Sequence, residues 1–130
     1  MKLIFATQNL HKLQEIKQVL DPKIELIGLN HLGVLEEIPE LGDTLEENAI
    51  GKARYIYDRF KKNTIADDTG LEVQSLDGAP GVHSARYAGL SKNSDNNINK
   101  LLVELGSSKN RRAQFRTLIA LIINGKQNIL

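Results

Sequence analysis

Residues 2–29 read KLIFATQNLHKLQEIKQVLDPKIELIGL, and this stretch decides the fold. The mostly apolar run at residues 2–6 predicts a strand, after which apolar side chains recur at helical spacing from Leu10 to Leu20. Asp21-Pro22 ends the helix, because proline lacks a backbone donor and disfavours helix in the residue before it. A second apolar run at residues 24–29 predicts another strand. A strand–helix–strand unit favours an α/β fold with a mixed, mainly central sheet flanked by helices.

The remaining elements follow from the same periodicities and from turn residues. The predicted order is a loop at 30–43, a helix from Asp43-Thr44 to about Phe60, a strand at Thr64–Ala66, a strand around Leu71–Leu76, a helix at Asp95–Leu105 and a strand at Ala113–Asn124. Glu46 and Glu47 are in position for a capping box at the start of the second helix.

The last predicted strand ends in Asn124-Gly125, a strong hairpin-turn signal. A hairpin needs a returning strand, and only Lys126–Leu130 follow the turn. We therefore expect the returning strand to begin here, and we expect the chain to be interrupted.

The overall composition is that of one globular domain. The chain has 130 residues, 41% of them hydrophobic and 25% charged, within the ordinary range for a domain. We expect a single domain over residues 1–130. The chain contains no cysteine, which argues against disulfides and cysteine-bound structural metals.

The charge balance excludes two classes of partner. With 17 basic and 16 acidic residues the net charge is +1, so no global field attracts nucleic acid or an anionic membrane. Aromatic residues make up only 5% of the chain, which also disfavours nucleic-acid binding. No stretch approaches the roughly 18 apolar residues of a membrane span, and the run at residues 2–6 is too short for the hydrophobic region of a signal peptide. These features predict a cytoplasmic protein.

The segment Thr7-Gln8-Asn9-Leu10-His11-Lys12 lies between the first strand and the first helix. A helix N-terminus offers unpaired N–H groups and the positive end of the dipole, which suit a phosphate chain. Thr7 and Asn9 can donate hydrogen bonds, and Lys12 adds a positive charge. Alternatively, Thr7 or Asn9 merely caps the helix. The glycines of a P-loop or dinucleotide fingerprint are absent.

The segment Asp67-Asp68-Thr69-Gly70 follows a short apolar strand, at the sheet edge where α/β proteins form their sites. Neighbouring side chains on extended backbone point to opposite faces, so the two aspartates are expected to have different roles. One can bind a hard cation or activate water, while the other orients the loop. The alternative is an Asx-turn that ends the strand.

The acidic loop ahead of the second helix offers Glu37 and Glu40 as a second carboxylate for Mg²⁺. Magnesium takes only one or two protein carboxylates beside water and substrate phosphates. Lys52, on the following helix, can reach a phosphate. The alternative for each of these side chains is plain solvation.

The turn-rich segment at residues 78–89 presents Ser84, Arg86 and Tyr87, which are suited to a phosphate or a base. A structural loop held by a buried arginine explains the same composition. The three histidines have no metal-ligand spacing and are interpreted as surface or packing residues.

Four segments occur in a recognisable order along the chain. They are Ala6–Lys12 (ATQNLHK), Glu46–Ala49 followed by Lys52-Ala53, Ile65–Leu71 (IADDTGL) and Gly78–Gly89 (GAPGVHSARYAG). Together they resemble the inosine triphosphate pyrophosphatase family over essentially the whole chain. The resemblance implies the Maf/Ham type of α/β architecture, here lacking its C-terminal part.

The resemblance also implies roles for individual residues. Asp68 matches the magnesium-binding general base, Thr69 matches a small hydroxyl residue beside the substrate, and Glu40 is our choice over Glu37 for the second metal-linked carboxylate. Residues that would bind the substrate are Thr7, Gln8, Asn9, Leu10, His11 and Lys12, with Lys52 assisting.

The activity implied by the resemblance is Mg²⁺-dependent cleavage of dITP, ITP or XTP to the monophosphate and pyrophosphate, by a protein that is commonly a homodimer. The family's base-binding segments near the C-terminus have no counterpart here. One alternative is therefore an inactive nucleotide-binding or oligomerising fragment. Another is the related septum-inhibitor type of pyrophosphatase, which the segment Ser84-Ala85-Arg86-Tyr87 disfavours.

Overall fold

Three helices and six strands make up the chain, and the computed structural model describes every residue from Met1 to Leu130. The helices are α1 (Leu10–Val19), α2 (Leu45–Phe60) and α3 (Ser94–Leu105), and the strands are β1 (Lys2–Phe5), β2 (Glu25–Gly28), β3 (Thr64–Val73), β4 (Pro80–Gly81), β5 (Ala113–Ile123) and β6 (Lys126–Ile129). Short 3₁₀ turns lie at Gln74–Leu76 and Ser84–Arg86. The mixed α/β fold with a central sheet is confirmed.

The strands form one mixed sheet in the order β2-β1-β3-β5-β6, with β4 paired to β3. Strand β1 is parallel to both β2 and β3, whereas β4 runs antiparallel to β3 and β6 antiparallel to β5. The predicted strand–helix–strand opening is therefore the parallel β1–α1–β2 unit. No helix is both long and apolar enough to cross a membrane.

The chain divides into two compact units. Unit 1 consists of Met1–Gly42, Glu46–Asp67 and Leu118–Leu130, and unit 2 consists of Asp43–Leu45 and Asp68–Thr117. Strands β3 and β5 each contribute residues to both units. The expectation of a single domain over residues 1–130 stays a prediction.

One part of the core of unit 1 lies between the sheet and α1. Leu3, Phe5, Leu13 and Leu26 form a buried cluster, and Ile4, on the other side of β1, is only 1% exposed. A strand that is buried on both faces reads as a continuous apolar run, which is why the first residues of the chain were recognisable as a strand.

Helix α2 buries an apolar face. Ala49, Ala53 and Ile56 are fully buried at the i, i+4, i+7 spacing of one helix stripe. The same face carries two buried polar residues, Asn48 and Lys52. Buried polar groups need partners, and those partners define part of the candidate site.

Strand β3 differs from the prediction. We expected a strand at Thr64–Ala66 that stops at Asp67 and a separate strand around Leu71–Leu76, whereas β3 runs without a break from Thr64 to Val73. Asp67-Asp68-Thr69-Gly70 therefore lies within a strand, and the alternative of an Asx-turn at a strand end is wrong. Local turn propensity is overridden here by pairing of the strand with its neighbours.

Gly70 explains how β4 pairs with this strand in unit 2. Leu71 lies opposite Gly81, and Glu72 lies opposite Pro80. A Cβ built on Gly70 would lie 2.7 Å from the carbonyl carbon of Gly81 and would overlap its oxygen. The absence of a side chain lets the two backbones approach, so Gly70 is a packing requirement of β4.

The predicted hairpin is confirmed in unit 1. Asn124 and Gly125 both have positive φ, at 50° and 80°, as a two-residue type I′ turn requires. Strand β6 returns along β5, with Ile123 opposite Lys126 and Ala120 opposite Ile129.

Candidate functional site

The segment that follows β1 is held by its own side chains. The backbone N–H of Asn9 donates to Thr7 Oγ1, and the N–H of Lys12 donates to Asn9 Oδ1, each at a distance of 3.1 Å. Asn9 is thus the N-cap of α1. The capping alternative describes these contacts, although a capped helix start still carries the positive end of the dipole. The side chains of Leu10 and His11 are exposed in the first turn.

The cap makes a stability prediction. Replacing Asn9 with Ala leaves the Lys12 N–H without its acceptor, and we expect the free energy of unfolding to fall by about 1 kcal/mol. Thermal or urea unfolding measures this. Asn9→Asp keeps an acceptor oxygen and should retain most of the stability, and equal losses in the two variants would argue against a capping role.

Lys12 forms an ion pair with Asp67 in unit 1. The Lys12 Nζ atom lies 2.8 Å from Asp67 Oδ2, and the two side chains are 37% and 13% exposed. The second oxygen of Asp67, Oδ1, is buried without a hydrogen-bond partner. Lys12 is exposed enough to meet an anion while one of its donors stays on the carboxylate, which can hold the ammonium in place.

A second lysine–carboxylate pair in unit 1 joins α2 to the acidic loop. The Lys52 Nζ atom lies 3.3 Å from Glu40 Oε1. The side chain of Lys52 is only 11% exposed, so its charge needs a nearby counter-charge. Glu37, the other candidate in this loop, has an exposed side chain. Glu40, our choice for the second metal-linked carboxylate, is thus the one that contacts Lys52, a candidate for phosphate binding.

Gln8 and Glu36 tie the first segment to the acidic loop. The Gln8 side-chain amide donates to the backbone carbonyl of Glu36. The Glu36 carboxyl has a pKa below its ordinary value because it accepts a hydrogen bond from its own backbone amide and another from Arg59. Because this pKa is lowered, the Glu36–Arg59 ion pair persists to a lower pH than an ordinary glutamate would allow, and it loosens as the pH falls through the lowered value.

Asp68 and Thr69 belong to unit 2, where they lie on opposite faces of β3. Asp68 is 9% exposed, and burial of a carboxylate in this way requires compensating interactions. The Thr69 hydroxyl lies 2.8 Å from that of Thr117 on β5. Asp67 and Asp68 are also consecutive in β3, so their side chains have different surroundings, as different roles for the two aspartates would require.

Ser84, in the turn-rich segment of unit 2, serves the structure. Its hydroxyl accepts from the Leu71 N–H at 2.8 Å and donates to the Gly81 carbonyl at 2.6 Å. It therefore links β3 to the end of β4. Lys100 Nζ lies 4.4 Å from the centre of the Tyr87 ring and donates to the Tyr87 carbonyl. The interpretation of this segment as a structural loop accounts for these contacts, but Arg86 is partly exposed and is not the buried arginine that we expected to hold it.

The available donors fit a hard cation. No group of three or more His, Cys, Asp or Glu side chains is arranged to hold a metal ion. Magnesium needs only one or two protein carboxylates and completes its shell with water and phosphate oxygens. Asp68 in unit 2 and Glu40 in unit 1 each carry a carboxylate, the kind of oxygen ligand that Mg²⁺ prefers, whereas a zinc site would call for histidine or cysteine.

Two features of the site were missed in the sequence. The partner of Lys12 is Asp67, 55 positions away, and we had assigned Asp67 no ligand or partner. The partner of Lys52 is Glu40, which we had considered only for a metal. For Lys52 the signal is its place on the buried stripe of a helix, where a charge needs a counter-charge, whereas Lys12 is partly exposed and gives no such signal.

These observations define an α/β protein with two lysine–carboxylate ion pairs. Lys12 lies on α1, the helix that follows β1, and Lys52 lies on α2. Residues 3–130 match the model of the Ham1 family. The chain belongs to the Ham1 family.

The relatives agree in sequence and in structure. The chain is 56% identical over 122 residues to a dITP/XTP pyrophosphatase of Porphyromonas gingivalis, covering 93% of this chain and 63% of that protein. It is 50% identical to the protein of the same name from Flavobacterium johnsoniae, covering 99% and 67%. The structure of the Staphylococcus aureus Ham1 protein superposes with a TM-score of 0.89 at 38% identity, covering 99% and 67%. The chain therefore spans about two thirds of the length of these relatives.

Proposed function

We propose that this chain carries the activity of a nucleoside triphosphate pyrophosphohydrolase that converts dITP, ITP or XTP to the monophosphate and pyrophosphate, with Mg²⁺ as cofactor. The observation that carries the proposal is the high identity to relatives named dITP/XTP pyrophosphatase. The lysine–carboxylate pairs support it, because a triphosphate needs cations that are held in place.

The proposed roles follow the two units. In unit 1, Lys12 and Lys52 contact phosphate oxygens, and the N-terminus of α1 faces the same charge, with backbone groups of residues 7–12 contributing. In unit 2, Asp68 accepts a proton from water, and Thr69 lies beside the substrate. The chemistry that bound Mg²⁺ supplies is neutralisation of the triphosphate charge, with Asp68 and Glu40 as its protein ligands.

The proposed reaction balances as hydrolysis. Asp68 takes one proton from water, and the water oxygen forms a bond to a phosphorus atom of the α–β anhydride. The bond between that phosphorus and the bridging oxygen breaks. The products are the nucleoside monophosphate and pyrophosphate. The cationic side chains of Lys12 and Lys52 stabilise the negative charge that develops on the phosphate oxygens.

The direct test is pyrophosphate release from ITP, dITP and XTP by the full chain in the presence and absence of Mg²⁺, with ATP and UTP as comparison substrates. We expect release that depends on Mg²⁺ and prefers the non-standard purines. No release from any of them would contradict the proposal, and a preference for pyrimidine nucleotides would favour the septum-inhibitor type instead.

Lys12 provides a sharper test of phosphate binding. We expect Lys12→Met to raise KM for ITP, and Kd for inorganic tripolyphosphate, by about 10-fold to 100-fold, because a charge-assisted hydrogen bond is lost. Kinetics and calorimetry measure the two quantities. Lys17→Met, which removes an exposed charge from the same helix, is the matched control and should change neither.

A double variant separates binding from stability. Lys12→Met leaves the Asp67 carboxylate without its ion pair, which costs stability. Lys12→Met combined with Asp67→Asn should recover that stability but not the affinity for tripolyphosphate. Recovery of both would mean that Lys12 contributes only through folding.

We further propose a cytoplasmic location and a homodimer. The near-neutral charge and ordinary composition support the first, and the resemblance supports the second. Size-exclusion chromatography with light scattering tests the homodimer directly, and a monomer at all concentrations would contradict it.

A further inference from the structure

Asn48 is a buried polar residue for which the proposed reaction gives no role. It lies on the inward face of α2, one turn before Lys52, and is only 3% exposed. Its Oδ1 atom accepts a hydrogen bond of 2.7 Å from the backbone N–H of Gly42. A side chain on a helix therefore holds the backbone of the preceding loop, and the contact lies wholly within unit 1.

Gly42 has no room for a side chain at this contact. A Cβ built on Gly42 would lie 2.5 Å from Glu47 Cβ and 2.8 Å from Asn48 Oδ1. The loop backbone thus lies directly against the first turn of α2, closer than any other residue type permits. The hydrogen bond and the close approach determine the position of the loop at residue 42.

The held position lies two residues from Glu40. Glu40 Oε1 is 3.3 Å from Lys52 Nζ, and Ile38, two residues earlier, is buried. The loop segment that carries Glu40 is thus anchored on one side by an apolar side chain and on the other by Asn48. Two anchors so close together leave the carboxylate little freedom, and Lys52 lies on the same helix as the second anchor.

We propose that Asn48 is a positioning residue, which holds the Gly42 backbone so that Glu40 stays beside Lys52. The role of this pair in metal and phosphate binding rests on the proposed function, but the positioning itself does not. Asn48 acts through Glu40 and touches neither substrate nor metal.

The first experiment needs no substrate. Lysines of the folded chain are acylated with an amine-reactive reagent, and mass spectrometry gives the rate at Lys52 relative to exposed lysines. We expect Asn48→Ala to speed labelling of Lys52 by about tenfold, because losing one buried hydrogen bond opens the loop locally. Labelling of Lys12, whose carboxylate partner is Asp67, should not change.

Two further variants show whether Asn48 acts through Glu40. Glu40→Gln should also speed labelling of Lys52. The double variant Asn48→Ala with Glu40→Gln should be labelled no faster than the faster single variant, since both substitutions disrupt the same Glu40–Lys52 pair. Asn63→Ala is the matched control, because Asn63 Oδ1 likewise accepts from a backbone N–H, that of Asn124, at 2.8 Å. It should leave Lys52 protected.

The outcomes distinguish the positioning role of Asn48 from the proposed pyrophosphohydrolase function. Unchanged labelling of Lys52 in folded Asn48→Ala, or additive effects with Glu40→Gln, would overturn the positioning role. If Asn48→Ala does not fold, Gly42→Ala displaces the same loop, because its Cβ would overlap Glu47 and Asn48. It should give the same increase, and unchanged labelling there would count equally against the role. In the Mg²⁺-dependent assay, Asn48→Ala should raise the Mg²⁺ concentration for half-maximal rate. An inactive wild-type chain with protected Lys52 would refute the proposed function alone.

Discussion

Asp68→Asn is expected to reduce kcat for pyrophosphate release from ITP by about 100-fold to 10,000-fold, the range that loss of a general base causes. The amide has the same shape as the carboxylate but neither accepts a proton from water nor offers Mg²⁺ an anionic oxygen. Steady-state kinetics at saturating Mg²⁺ measure the loss. Circular dichroism and thermal unfolding should show that the variant folds, because the substitution adds no volume at this buried position.

The matched control for this variant is Asp77→Asn. Asp77 is an exposed aspartate of the same unit, in the left-handed region at a φ of 53°. Asparagine tolerates that conformation as well as aspartate does, so activity and stability should both remain at the wild-type level. Retained turnover in Asp68→Asn would refute the assignment of Asp68 as the base.

Gly70→Ala is expected to have the largest effect on stability. The added methyl group would overlap the backbone of Gly81, which cannot swing away as a flexible side chain can. Strand β4 must then separate from β3, and we expect a loss of about 3 kcal/mol in the free energy of unfolding, or roughly 10 °C in Tm. Urea unfolding and calorimetry measure the two quantities.

Gly51→Ala is the natural comparison for that substitution. Gly51 is exposed on α2, and a Cβ built there has no neighbour within 4 Å. Alanine in a helix is more favourable than glycine, so this variant should gain about 0.5–1 kcal/mol. If Gly70→Ala gains stability as Gly51→Ala does, the close approach of β4 would not be the reason for glycine at residue 70.

The elements recognised from the sequence are those whose signals are local. Helix α1 ends before Pro22 and begins at an asparagine cap, and the hairpin turn at Asn124-Gly125 has the two positive φ angles that its residues favour. Each of these depends on a few adjacent residues and on backbone sterics. Their positions could therefore be predicted to within a residue or two.

The misread element and the missed contacts are non-local. Asp and Gly suggested a turn at residues 67–70, but the strand continues because β4 approaches at Gly70, where only a residue without a side chain fits. The pairing of Lys12 with Asp67 joins a helix to a strand far along the chain. No local pattern encodes such a contact, because it exists only after the sheet has formed.

The unbroken course of β3 also limits how this family of chains can change length. Side chains alternate between the faces of a strand, so one residue inserted between Ala66 and Gly70 would move every later side chain to the opposite face. Asp68 would then exchange surroundings with its neighbour, and Gly70 would no longer lie against the backbone of Gly81. We expect homologous genes to tolerate insertions and deletions in the loop around Leu32–Leu35 and to show none within residues 64–73.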